Sequence, residues 1–174
     1  GLSYFLLPRS LGVSSEGGKA SQLSFWMFLL FASVAATSKI GTGPFPLWVK
    51  AISGAAALML MVPLSIICHT LLRISDVPKA SGSPSATFIR FGVYALFFAV
   101  VLLGLSSLRS VQYVVSFTSF HIGLEHIVTR LTVSMILFGG IYYIMPRLSR
   151  CEWISSSLIK WHFLGTAYAG GIFA

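Results

Sequence analysis

The sequence predicts an all-α protein, a polytopic bundle of about four to five transmembrane helices. Two observations predict this class. The first is composition, because 56% of the 174 residues are hydrophobic and only 9% are charged, whereas a soluble domain carries roughly 25% charged residues. The second is that the apolar residues fall in runs near the length of about 20 residues that a spanning helix needs. So little charge cannot cover a surface in water, and we expect lipid to surround the chain.

Four apolar segments approach or reach this length, and a fifth begins close to the end of the chain. They lie at about 22–37, 47–72, 86–106 and 114–145, and the fifth begins near Leu158. The first is somewhat short, and Pro63 predicts a kink in the second. Loops rich in Gly and Pro at 41–46 and 75–84 separate neighbouring segments. We expect one transmembrane domain over 1–174, and the apolar stretches at both ends indicate a fragment of a larger chain.

The basic residues predict how the bundle is oriented. The net charge of +8 does not indicate a nucleic-acid partner, because Lys and Arg lie in short gaps between apolar runs rather than on one face. Cytoplasmic loops carry the excess of Lys and Arg. One side has Arg9, Lys19, Arg73, Lys79, Arg90, Arg147, Arg150 and Lys160, and the other has Lys39, Lys50 and Arg109. We therefore expect the loops near 9–19, 73–90 and 147–160 to be cytoplasmic, in a bacterial inner membrane.

Three ionisable residues, Glu125, His126 and Arg130, lie close together in the fourth segment. A charge near the bilayer centre costs roughly 2.5–3.5 kcal/mol on insertion scales, so Glu125 and Arg130 should face protein, a cofactor or water. At about 100° per residue, His126 and Arg130 share a helix face, whereas Glu125 and Arg130 are about 140° apart and poorly placed to pair. Arg130 would favour neutral imidazole at His126, the form that binds iron.

The residues alone leave the role of His126 open between a haem or metal ligand and a hydrogen-bonded packing residue. The remaining histidines are interpreted as structural, namely His69, His121 and His162. The sequence has no HExxH motif, no paired carboxylates, no phosphate-binding loop and no catalytic triad.

A longer pattern, "FTSFHIGLEHIVTRLTVSMILFGGIYYIMPRL", resembles the haem-ligand helix in subunit I of the C-family (cbb-type) haem-copper oxidases. The matching positions are Thr118, Gly123, His126, Phe138, Gly139, Ile141, Tyr142, Tyr143, Pro146 and Arg147. The stretches "GLSYFLLPRS", "LRSVQYVVSFT" and "WHF" also resemble family motifs, and Phe25, Trp26, Pro46 and Trp48 keep the family's spacing. The resemblance covers nearly the whole chain and implies a middle-to-late piece of a roughly twelve-helix subunit.

The same resemblance shows which family groups this chain lacks. Leu124 stands where the family has the axial histidine of the high-spin haem. Ser38 and Lys39 fall on the copper-binding histidines, Ala32 on the active-site tyrosine and Leu102 on a buried glutamate. Because copper and high-spin iron need those imidazoles, the resemblance implies no copper and no oxygen-reducing site in this chain.

The retained position is His126, which in the family binds the low-spin haem b. The resemblance therefore implies a degenerate subunit of a respiratory electron-transfer complex, with a haem b held by His126. The second axial ligand would come from a part of the subunit outside this chain or from a separate polypeptide. Three alternatives remain open. They are a cofactor-free scaffold, a part of an active oxidase whose ligands another chain supplies, and a transporter or channel of another class.

Overall fold

The computed structural model describes residues 2–11, 19–36, 46–75, 83–115, 118–151, 153 and 155–173, and the regular structure among these residues is entirely helical. The helices in chain order are α1 (Leu2–Leu11), α2 (Lys19–Ala36), α3 (Leu47–Met59), α4 (Met61–Ser75), α5 (Pro84–Ser106), α6 (Arg109–Val115), α7 (Phe120–His126), the π-helical segment π1 (Ile127–Val133), α8 (Ser134–Ser149) and α9 (Ser156–Phe173). The predicted all-α class is confirmed. Ser38 and Lys39 lie outside the described residues.

Three helical stretches in the described part of the chain are long and apolar enough to cross a membrane. They are Ala51–Ile74, Pro84–Ser106 and Phe120–Ser149. The first predicted segment corresponds to a shorter apolar helix, Ser21–Ala36, in line with its marginal length in the sequence. These stretches support an integral membrane protein, because each approaches or exceeds the roughly 20 residues that span a bilayer.

The second predicted segment is divided at Leu60, where α3 ends and α4 begins one residue later. The physical cause is Pro63. Its nitrogen carries no hydrogen, and its ring crowds the carbonyl four residues earlier, at Met59. The interruption is local, because the Leu60 N–H still bonds the Ala56 carbonyl at 2.9 Å. The predicted kink is thus a one-residue break just before the proline.

The fourth predicted segment begins later than expected. Instead of one helix from 114, the short α6 ends at Val115 and α7 starts at Phe120. Thr118 lies at this break, where its hydroxyl donates to the Val115 carbonyl at 2.9 Å and accepts from the Phe120 N–H at 3.4 Å. A hydroxyl that satisfies backbone groups locally competes with a continuous helix. The helix that follows extends beyond the predicted end at 145 and ends at Ser149.

Helix α5 is at the centre of the bundle and packs against both α4 and α8. Small residues allow the close approach on the α8 side. The Ser85 hydroxyl donates to the Gly139 carbonyl at 2.7 Å, and Gly92 faces the Thr132 carbonyl of π1. Such small-residue contacts are typical of helix packing in membranes, where apolar burial alone gives little driving force. Helix α9 packs on α7 and π1, which places it beside the candidate haem ligand.

Candidate cofactor site

His126 is the last residue of α7 and directly precedes π1. Its side chain is half-buried. No other described residue is found to hydrogen-bond its imidazole. A packing histidine inside a membrane is normally hydrogen-bonded, whereas a haem ligand keeps one ring nitrogen available for iron. Among the described residues, no such hydrogen bond is found for His69 and His121 either, but those two side chains are exposed, so His126 differs from them by its partial burial.

The positions where the family has other cofactor groups are used here for hydrophobic packing. Leu124 is buried with Ala99 and Ile127. Leu102 packs against that same cluster. Ala32 packs against a second cluster centred on Leu60. Apolar contacts of this kind contribute to stability but offer no lone pair to a metal. None of these three side chains can bind iron or copper.

Glu125 and Arg130 are both exposed on the surface of this chain, and each has an interaction within it. The α-helical geometry assumed from the sequence is wrong over 127–133, because this stretch is π-helical. A π-helix bonds residue i to residue i+5, and the Ser134 N–H accordingly bonds the Thr129 carbonyl. Because Arg130 lies in this π-helical stretch, the angle about the helix axis between Glu125 and Arg130 is smaller than the roughly 140° expected for a continuous α-helix.

An open groove of about 430 Å³ lies between α9 and the face formed by π1 and α8. Its walls include Arg130, Ser134 and Phe138 on one side and His162, Thr166 and Gly170 on the other. His126 is four residues before Arg130, the spacing that places side chains on adjoining turns of one face. His126 does not itself line the groove, which begins further along the helix at Arg130.

His162 lies at the other end of this groove and is held by aromatic neighbours. Its Nδ1 is 2.8 Å from the Tyr142 hydroxyl, so the two side chains share a hydrogen bond. The Phe138 ring meets the imidazole edge-on, with 4.6 Å between ring centroids. The structural role that the sequence predicts for His162 matches this contact. One indication of this contact was present in the sequence, because Tyr142 and His162 lie in "GGIYY" and "WHF", two stretches that resemble family motifs.

The described part of the chain has no group of three or more His, Cys, Asp or Glu side chains placed to hold a metal ion. His121, five residues before His126, is exposed. The described residues thus offer a half-buried imidazole at His126 but no complete ligand set for a bare metal ion.

These features define a polytopic helical membrane protein with one candidate haem ligand. Comparison with known families makes the class specific, because residues 1–173 match the family described as Cytochrome C and Quinol oxidase polypeptide I. The chain belongs to this family of oxidase subunits. It is also 24% identical over 166 residues to a cytochrome c oxidase subunit 1 homolog of Agrobacterium tumefaciens (strain T37). That match covers 94% of this chain and 31% of the relative's length.

Proposed function

We propose that this chain is a degenerate subunit-I-like membrane component of a respiratory electron-transfer complex. In this proposal His126 binds one low-spin haem b, and the chain does not itself reduce oxygen. The cbb-type character, the bacterial inner membrane and the neighbouring respiratory subunits are parts of the same proposal. The observation that carries it is the half-buried imidazole of His126, which no other described residue is found to hydrogen-bond.

The residues present fit one axial bond to a haem. His126 can supply one imidazole nitrogen. The groove that begins at Arg130, further along the same helix, has a volume of about 430 Å³, within the range of about 300–1,000 Å³ that ligand sites occupy. A bound low-spin haem would supply one-electron chemistry between its ferrous and ferric states. This chain's contribution would be to hold and orient the iron through His126 and to exclude water with α5 and α9. The second axial ligand would come from another segment or subunit.

The packing of Leu124, Leu102 and Ala32 supports the part of the proposal that denies oxygen reduction. Oxygen reduction in this family requires open iron beside copper. Leu124 offers no axial ligand to the iron, and Ser38 and Lys39, at the positions of the copper-binding histidines, supply no imidazole. The same packing favours one alternative, a scaffold in which the fold is kept and every cofactor is lost. The two functions differ only in whether His126 binds iron.

The deciding experiment is a reduced-minus-oxidised spectrum of the purified complex, with a pyridine haemochrome assay. We expect a low-spin b-type band that disappears in His126→Ala. The matched control is His121→Ala, because His121 is on the same helix but exposed. That variant should keep the band.

Two other results would contradict the proposal. An unchanged spectrum in His126→Ala would leave the scaffold as the function of this chain. Carbon monoxide binding to the reduced complex, if abolished by His126→Ala, would instead indicate an open iron site and an active oxidase.

A further inference from the structure

The π-helical segment π1 separates His126 from α8, the rest of its long helix. A π-helix pairs residues five apart, whereas an α-helix pairs residues four apart. The segment is therefore equivalent to one extra residue inserted into a continuous α-helix. Helix α8 is held on α5 by the hydrogen bond from Ser85 to Gly139. If π1 became α-helical, the His126 imidazole would turn by about 100° relative to α8.

Two hydroxyl groups bind the backbone of this segment. Ser134 donates both its N–H and its hydroxyl to the Thr129 carbonyl, the hydroxyl at 3.2 Å. In an α-helix that carbonyl would accept from the Val133 N–H instead. The Thr129 hydroxyl donates to the Glu125 carbonyl at 2.6 Å. Serine in an α-helix bonds the carbonyl three or four residues back, so a hydroxyl that reaches five residues back favours the π geometry.

The neighbouring helices leave room for the wider turn. On α5, a Cβ at Gly92 would lie 3.1 Å from the Thr132 carbonyl oxygen of π1. On α9, a Cβ at Gly170 would collide with the Leu131 side chain. Glycine on both neighbouring helices therefore accommodates π1.

Keeping this segment costs stability. Thr132 is 4% exposed, and its hydroxyl finds no hydrogen-bond partner in the part of the chain that the structure describes. An unsatisfied buried hydroxyl destabilises a fold and is uncommon in native structures. Turns of π-helix are themselves rare and occur frequently at functional sites. A costly turn directly after His126 indicates a role in placing that side chain.

We infer that Thr129 and Ser134 are positioning residues, which hold π1 and thereby direct the His126 imidazole. This inference rests on the proposed function, because it concerns how the same histidine meets the haem iron. An axial bond requires the ring nitrogen to point at the iron, and a turn of about 100° about the helix axis would remove it. Both hydroxyls act through the backbone of π1 and not through a bond to iron.

The first test combines Thr129→Val with Ser134→Ala and measures the reduced-minus-oxidised spectrum of the complex. Each lost hydrogen bond changes an equilibrium constant about fivefold, so the pair should favour an α-helical form of 127–133 roughly thirtyfold. The complex should lose most of its low-spin b-type band. Thr129→Ser keeps the hydroxyl and should keep the band.

The matched control is Thr70→Val combined with Ser149→Ala. These two hydroxyls donate to the Ile66 and Met145 carbonyls, four residues back and outside π1. The control removes the same chemical groups from regular helices and should leave the band unchanged.

A deletion distinguishes positioning from stability. Removing Val133 from the Thr129→Val/Ser134→Ala variant takes out the extra residue, so a continuous α-helix presents His126 on its original face. Val133 is exposed, so its loss opens no cavity. The deletion should restore the band, whereas it could not rescue a variant that merely fails to fold.

A cross-link tests the geometry of π1 without haem. Leu131→Cys and Gly170→Cys place two thiols side by side, and Cys151→Ser removes the exposed native thiol. The pair should form a disulfide under mild oxidation. The yield should fall when Thr129→Val and Ser134→Ala are added, because an α-helical turn moves residue 131 away from α9.

Four results would overturn the inference. They are an unchanged band in Thr129→Val/Ser134→Ala, equal loss of the band in its matched control, no recovery on deletion of Val133, and an unchanged disulfide yield. If the unsubstituted complex has no band that His126→Ala removes, the proposed function fails instead. The disulfide yield then decides by itself whether Thr129 and Ser134 hold π1.

Discussion

Gly139 shows how one residue sets the distance between two helices. A Cβ at this position would lie 2.6 Å from Cγ1 of Ile89 and 3.0 Å from the Ser85 carbonyl oxygen on α5. Both neighbours are on a buried, tightly packed face, so neither can move far. The hydrogen bond from Ser85 to the Gly139 carbonyl depends on the same close approach. A side chain at 139 would therefore push α5 away from α8.

Gly139→Ala should lower the free energy of unfolding by about 1–3 kcal/mol, the usual cost of overpacking. Gly54→Ala is the matched control, because Gly54 is also helical but a Cβ there meets nothing within 4 Å. That variant should gain up to about 1 kcal/mol from helix propensity. Thermal unfolding in detergent, monitored by size-exclusion chromatography, measures the stability of both variants. If Gly139→Ala and Gly54→Ala change the stability in the same direction, Gly139 does not set the distance between α5 and α8.

The helices show which features a sequence reveals and which it hides. The apolar runs predicted α5 and the helix ending at Ser149, because burial in lipid requires continuous apolar length. The π-helical turn at 127–133 left no comparable signal, since π and α turns can carry the same apolar residues. The angle predicted between Glu125 and Arg130 assumed a continuous α-helix, and Arg130 instead lies in the π-helical stretch. His126 was found through a family pattern, whereas the groove further along the same helix depends on α9, whose approach no local pattern encodes.

The break at Leu60 gives a prediction at the level of one helix. Pro63→Ala restores an N–H that can bond the Met59 carbonyl, so α3 and α4 should merge into one continuous helix. Amide hydrogen exchange at Leu60 and Met61 should slow in this variant. Exchange is the appropriate measurement, because Pro63 is fully buried and its truncation also loses packing.

The control for this helix is Pro84→Ala. Pro84 is at the start of α5, where a missing N–H removes no helical hydrogen bond. Exchange in α5 should stay unchanged in Pro84→Ala. If Pro63→Ala leaves exchange at Leu60 as fast as before, the interruption of α3–α4 comes from packing and not from the proline.

For the whole molecule, the distribution of basic residues predicts which end of the bundle faces the cytoplasm. Eight Lys and Arg were assigned to one side and three to the other. An excess of this size in short loops normally sets orientation. The two cysteines of the chain allow a direct test, because Cys151 is exposed at the end predicted to be cytoplasmic and Cys68 is buried.

A membrane-impermeant maleimide should therefore label Cys151 in inverted membrane vesicles and not in intact spheroplasts. Cys68 should stay unlabelled in both, since its side chain has no exposed surface. The matched variant combines Cys151→Ser with Gln112→Cys, which moves the exposed thiol to α6 near the opposite end of the bundle, and its labelling should be reversed. If Gln112→Cys reacts only in inverted vesicles, the bundle has the opposite orientation, and His126 lies in the cytoplasmic half of its helix.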